Sequence, residues 1–191
     1  MYILFEGIDT CGKSTQIALL AQKYPQIITT HEPGGTNFGM KAREILLSDS
    51  LNSKRAELLL FLADRAEHYE EIVAPNQDKV VISDRGFLSG IGYALANGDF
   101  DFEELVRLNK FALKGHFPDK IVLFLTTMET LKERTSAKEL DGIELRGLAY
   151  LIDVQNKMKE SLEKLDIDYL EVDATKSVEN IHQKIVSYLE L

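Results

Sequence analysis

Gly7, Gly12, Lys13 and Ser14 stand in the order G-x-x-x-x-G-K-S within the stretch GIDTCGKST (7–15). This spacing suits phosphate chemistry. The glycines let backbone N–H groups converge on phosphate oxygens, the lysine reaches the outer phosphates, and the serine hydroxyl can ligate Mg²⁺. The whole run of Gly7, Ile8, Asp9, Thr10, Cys11, Gly12, Lys13, Ser14 and Thr15 is therefore a candidate nucleoside triphosphate site. A GTPase would need an N-K-x-D guanine motif, and NKMK (156–159) lacks the aspartate. Asp9 is out of place beside a polyanion, because a like charge weakens binding unless the carboxylate serves another group. A hydroxyl on a second substrate is one such group.

Further polar residues stand where apolar runs end. EPGGT (32–36) is either a tight turn or a second anion site, with Arg43 on the helix that follows. Phe61 and Arg65 are four apart and share a helix face, which offers a flat wall and a hydrogen-bonding fork for a nucleobase. A core phenylalanine beside a solvated arginine fits the same spacing. In SDRG (83–86), Asp84 and Arg85 follow a buried run, where charges are expensive to desolvate unless they meet ions. Asp84 is placed to assist a metal and Arg85 to hold an acceptor phosphate; Tyr93, on the next helix, fits either the site or the core.

These residues need a frame that brings them together. Five short β-rich runs, 2–7, 26–33, 79–85, 120–127 and 168–174, are mostly apolar throughout, as strands buried on both faces of a parallel sheet are. Helical patterns separate them. In 53–72, Ser53 is the expected N-cap and Leu58, Leu59 and Leu62 form one stripe; 148–165 is a second, and the last helix opens at Ser177. The expected fold is α/β, a P-loop NTPase-type three-layer sandwich with a five-stranded parallel sheet flanked by helices. Ligands then bind at the carboxyl ends of the strands.

Composition narrows the function classes. A chain of 191 residues suits one domain, 1–191. Its net charge of −9, spread along the sequence, argues against a general nucleic-acid or anionic-membrane surface. The single cysteine, Cys11, permits no internal disulfide and points to a reducing compartment. No apolar run approaches the roughly 18 residues of a membrane span. The expected location is the cytoplasm.

GIDTCGKST, THEPGGT, LLFLADRAEH, SDR and EVDAT, in this order and spacing, resemble the bacterial thymidylate kinases, a family of P-loop nucleoside monophosphate kinases. The resemblance covers nearly the whole chain. It implies transfer of the ATP γ-phosphoryl group to dTMP, with Mg²⁺, in a homodimer. It also implies roles. Asp9 would hold the deoxyribose 3′-hydroxyl, Phe61 would stack on thymine and Arg65 would bond its edge. Arg43 and Arg85 would clamp the dTMP phosphate, Tyr93 would border the sugar, and Ser14 with Asp84 would serve the metal. The chain departs from the family pattern at His31, Gly86, Gly90 and Ala94, and in a lid at about 134–147 where Gly142 replaces an arginine. Arg134, Lys138 and Arg146 are the cations available there, and Arg134 is favoured to join Lys13, Asp84 and Arg85 in catalysis. Two alternatives stay open: a P-loop kinase for another nucleotide or a nucleoside, and a nucleotide-binding module with weak turnover.

Overall fold

The computed structural model describes residues 1–48, 51–135 and 147–191. Five parallel strands, β1 (Tyr2–Glu6), β2 (Ile28–His31), β3 (Val81–Asp84), β4 (Lys120–Leu125) and β5 (Asp168–Asp173), form one sheet in the order β2-β3-β1-β4-β5. Eight α-helices accompany them among the described residues: α1 (Lys13–Lys23), α2 (Asn37–Leu47), α3 (Lys54–His68), α4 (Phe87–Ala96), α5 (Phe102–Ala112), α6 (Met128–Thr135), α7 (Leu148–Leu162) and α8 (Val178–Leu189). This is the expected three-layer arrangement. No described helix is long and apolar enough to cross a membrane.

The period-two geometry of a strand explains the two apolar layers. On β1, Leu4 faces a core with Leu62, Leu88, Ile91, Leu123 and Val154, while Ile3 and Phe5 face another with Leu20, Val122, Phe124 and Ile185. Every residue of β1 is buried, because helices cover both faces of this central strand. The strand order places β1 between β3 and β4, with Phe5 opposite Asp84 and Val122. The loops after β1 and β3 therefore leave the sheet side by side.

Three local expectations change. β2 alternates half-buried and exposed residues, because it lies at the sheet edge and its threonines face the two sides in turn. Leu59 does not share the buried stripe of Leu58 and Leu62: it is 60% exposed, one helical step of about 100° away from Leu58. The helix expected over 53–72 stays α-helical to His68 and then passes into a single π turn, Tyr69–Val73. Both expected N-caps form: Ser53 accepts from Ala56 N, and Ser177 accepts from Asn180 N.

Candidate active site

The loop between β1 and α1 is built around two glycines. Gly7 passes so close to β4 that a Cβ there would lie 2.8 Å from the Phe124 carbonyl oxygen. Gly12, at φ +96°, takes the left-handed turn that starts α1. The loop thus leads directly into the N-terminus of α1. Lys13 is 5% exposed, and its ammonium donates to the carbonyls of Gly7 (2.9 Å) and Ile8 (3.0 Å). It also lies 3.8 Å from Asp84. Ser14 donates its hydroxyl to the other Asp84 oxygen at 2.8 Å. Two hard oxygen donors side by side fit Mg²⁺, which takes one or two protein oxygens and leaves the rest of its shell to phosphate and water. No cluster of three or more His, Cys, Asp or Glu suited to a metal occurs among the described residues.

Asp84 ends β3, and Arg85 turns out of the sheet with φ +70°, an unusual conformation for a side chain larger than glycine. Two bonds hold it there: Arg85 N donates to Phe5 O at 2.9 Å, and Ser83 Oγ donates to Arg85 O at 2.8 Å. The guanidinium is thereby aimed at the β1 loop, where it meets Asp9 at 2.8 Å, and it also donates to Ser89 Oγ at 3.2 Å. Ser89 in turn donates to buried Glu6. Burial alone would ease the Arg85 proton off, but Asp9, then Tyr93 and Asp84, outweigh it and keep the group charged. For Glu6, burial prevails over the Ser89 bond and the charge of Arg85, and its carboxyl titrates above its ordinary value.

Arg43, on α2, donates to Pro33 O at 3.0 Å and so reaches back over the turn after β2. On α3, Phe61 is half-buried and Arg65 is 2% exposed. Three elements hold the Arg65 fork: its Nε pairs with Glu32 at 2.9 Å, Nη1 donates to Asn109 at 2.8 Å, and Nη2 donates to Gly86 O at 2.9 Å. His68, one turn later, places Nδ1 2.9 Å from Glu32 and Nε2 2.8 Å from Thr30. Burial would raise the Glu32 carboxyl, but Arg65 first and His68 second hold it below its ordinary value. Tyr93 on α4 offers its ring face to Arg85, 5.8 Å from Cζ to centroid.

Two clefts result. The first is lined by Lys13, Ser14, His31 and Asp84 and is about 420 Å³ in volume. The second is walled by Phe61, Arg65, Gly90 and Tyr93. They share Asp9, Glu32, Arg43 and Arg85, which stand at the border between them. Among the residues singled out from the sequence, Asp9, Arg43, Phe61, Arg65, Arg85 and Tyr93 therefore line one cleft together. His31 lines the first cleft, and partial burial, then Arg43, lowers its pKa. A neutral ring thus stands there at pH 7.

Arg134 is placed differently from the transferring-group cation expected of it. Its guanidinium donates to Thr10 O at 3.0 Å and to Ala174 O at 2.8 Å, bracing the phosphate loop against the end of β5. Lys138, Gly142 and Arg146 lie outside the described residues. Glu32, Asn109, Ser89 and Glu6 were not singled out from the sequence. Asn109 left a trace there, as an amide in the buried stripe with Leu105 and Ala112.

A parallel sheet of this order, with a glycine-rich loop closing on a helix N-terminus beside a second cleft, defines a P-loop phosphotransferase. A family model described as thymidylate kinase matches residues 5–185, and the chain belongs to that family. It is 76% identical over 191 residues to the thymidylate kinase of Sulfurovum sp. (strain NBC37-1), covering 100% of both chains. It is 53% identical over 192 residues to that of Campylobacter concisus (strain 13826), covering 99% of this chain and 98% of the other. The crystal structure of thymidylate kinase from Ehrlichia chaffeensis superposes with a TM-score of 0.77 at 26% identity, covering 100% of this chain and 98% of that one.

Proposed function

We propose that the chain phosphorylates dTMP with ATP, the activity its family is named for, and that the two clefts divide the work. The observation carrying this reading is the shared border: Asp9, Arg43 and Arg85 face the phosphate loop on one side and the Phe61–Arg65 pocket on the other. The loop from Gly7 to Thr15 holds the ATP phosphates, with Lys13 turning from its loop carbonyls toward them. Ser14 and Asp84 hold Mg²⁺, which neutralises phosphate charge when bound.

In the second cleft, Phe61 stacks on the base and Arg65 donates to a base carbonyl with the fork that Glu32, Asn109 and Gly86 orient. Tyr93 borders the sugar, and Asp9 accepts the 3′-hydroxyl. Arg85 and Arg43 bind the acceptor phosphate and set it in line with the donor. Such positioning with localised positive charge accounts for most of phosphoryl-transfer catalysis. Arg134 acts by holding Thr10, and hence the loop. Both clefts belong to a single domain spanning 1–191, and most of the lid expected over about 134–147 lies outside the described residues. Exposed Leu59 on α3 and Phe111 on α5, 60% and 86% exposed, favour a homodimer with an apolar contact there. The substrates and the single buried cysteine suit the cytoplasm.

A coupled ADP-release assay over dTMP, dUMP, UMP, CMP and thymidine tests the acceptor. The expected order places dTMP first and thymidine last. Arg85→Ala is expected to lower kcat/KM for dTMP by about 10²-fold or more while ATP binding survives; an unchanged rate removes Arg85 from the site.

A further inference from the structure

We propose that the acceptor pocket has a second compartment that takes a small polar substituent on C5 of the base. This rests on the acceptor reading above. The compartment lies on the far side of Phe61 and Tyr93 and is bounded by Lys54, Glu57, Gly90, Ala94 and Asn97. It shares Phe61, Gly90 and Tyr93 with the base pocket, so the two spaces meet where position 90 has no side chain.

Arg65 fixes which base atoms reach that opening. A Cβ on Gly90 would lie 3.3 Å from Arg65 Nη1 and 3.5 Å from Nη2, so a carbonyl bonded to the tip of the fork lies beside Gly90. On a pyrimidine, O4 is the carbonyl whose ring neighbour is C5. A methyl on C5 then reaches the opening, and one further atom enters the compartment. The compartment is about 20 Å³ in volume, and a single water needs roughly 10–15 Å³. It has room for one oxygen-sized group against its walls and opens to solvent on its other side.

Its far wall is polar. Lys54 Nζ donates to Glu57 Oε2 at 3.0 Å, and Glu57 is 9% exposed. A hydroxyl can donate to the Glu57 carboxylate and accept from Lys54, whereas a methyl in the same place would desolvate that pair and return no bond. The ligand class is thus a pyrimidine deoxynucleoside monophosphate with a hydroxymethyl-sized polar group on C5. The small side chains at 90 and 94 admit it and the Lys54–Glu57 pair selects it.

The test compares dTMP, 5-hydroxymethyl-dUMP and 5-ethyl-dUMP as acceptors for the full chain with ATP; the last two differ only in a terminal hydroxyl or methyl. The 5-hydroxymethyl compound is expected to keep a kcat/KM within about tenfold of dTMP and to exceed the 5-ethyl compound by about tenfold. Ala94→Val, which fills the compartment, should lower the ratio of 5-hydroxymethyl-dUMP to dTMP by about tenfold. Ala94→Ser adds a single oxygen atom and should lower the same ratio if the valine variant does not fold. A 5-ethyl compound equal to or better than the 5-hydroxymethyl one, or a ratio that neither variant moves, would overturn the compartment while leaving the dTMP assignment standing. Absence of turnover with dTMP itself would instead overturn the acceptor reading, and the compartment with it.

Discussion

Asp64 provides a measurement whose size can be worked out beforehand. The residue is 1% exposed, and its Oδ1 accepts from Gly34 N at 3.1 Å; its buried Oδ2 has no hydrogen-bond partner among the described residues. Burial first, and the Glu32 charge second, raise its pKa from 3.8 to about 6 despite the Gly34 bond. The folded chain therefore keeps the Asp64 proton over a window in which the unfolded chain has lost it. The contribution to stability is fully present below 3.8 and is lost as the pH rises through about 6. At roughly 1.4 kcal/mol per unit, the loss is about 3 kcal/mol at neutral pH. Asp64→Asn keeps an oxygen for Gly34 N and cannot ionise. Its stability relative to the parent should therefore rise by about 2.4 kcal/mol between about pH 4 and pH 7. Urea unfolding of both proteins at several pH values across this range gives the difference directly. A difference that stays flat, or that falls with pH, refutes the reasoning, since the first means that folding leaves the Asp64 pKa unshifted and the second that it lowers it.

Three shorter predictions concern the site. Gly7→Ala puts a methyl 2.8 Å from the Phe124 carbonyl at φ +144°, so ATP binding measured by calorimetry should be lost or should weaken at least about tenfold. Asn109→Ala removes the Arg65 Nη1 acceptor, and the orphaned buried donor should cost about 1–3 kcal/mol in urea unfolding; in steady-state kinetics, KM for dTMP should rise more than kcat falls. Ser14→Ala leaves Asp84 alone at the proposed metal position, so the Mg²⁺ concentration for half-maximal rate should rise about tenfold, whereas the dTMP affinity measured without metal stays put.

Much of the site was legible because its signals are local. The spacing from Gly7 to Ser14 specifies a loop conformation within eight positions, and the charged pair Asp84–Arg85 is conspicuous after the apolar residues of β3. The sheet was legible for a similar reason, since β1, β3 and β4 are short, mostly apolar runs between helical patterns. What escaped depends on tertiary neighbours. Arg65 finds Asn109 44 residues away and Gly86 21 residues away, and no periodicity within α3 reveals either partner. The partial exposure of β2 follows from its place at the sheet edge, which strand composition does not encode. Arg134 sits in LKERT like any surface arginine, and only the approach of Thr10 and Ala174 makes it a brace.

The contact between Arg85 and Asp9 bears on how the enzyme fares in a cell rich in stray anions. A guanidinium already matched with a carboxylate is a weaker trap for a stray anion than a bare one, because the anion is repelled by Asp9 and must break the pair to bind. In the proposed acceptor reading, a nucleotide brings both an anion for the arginine and a hydroxyl for the aspartate, so one molecule would compensate both partners as they separate. In that reading the pair works as a two-key lock.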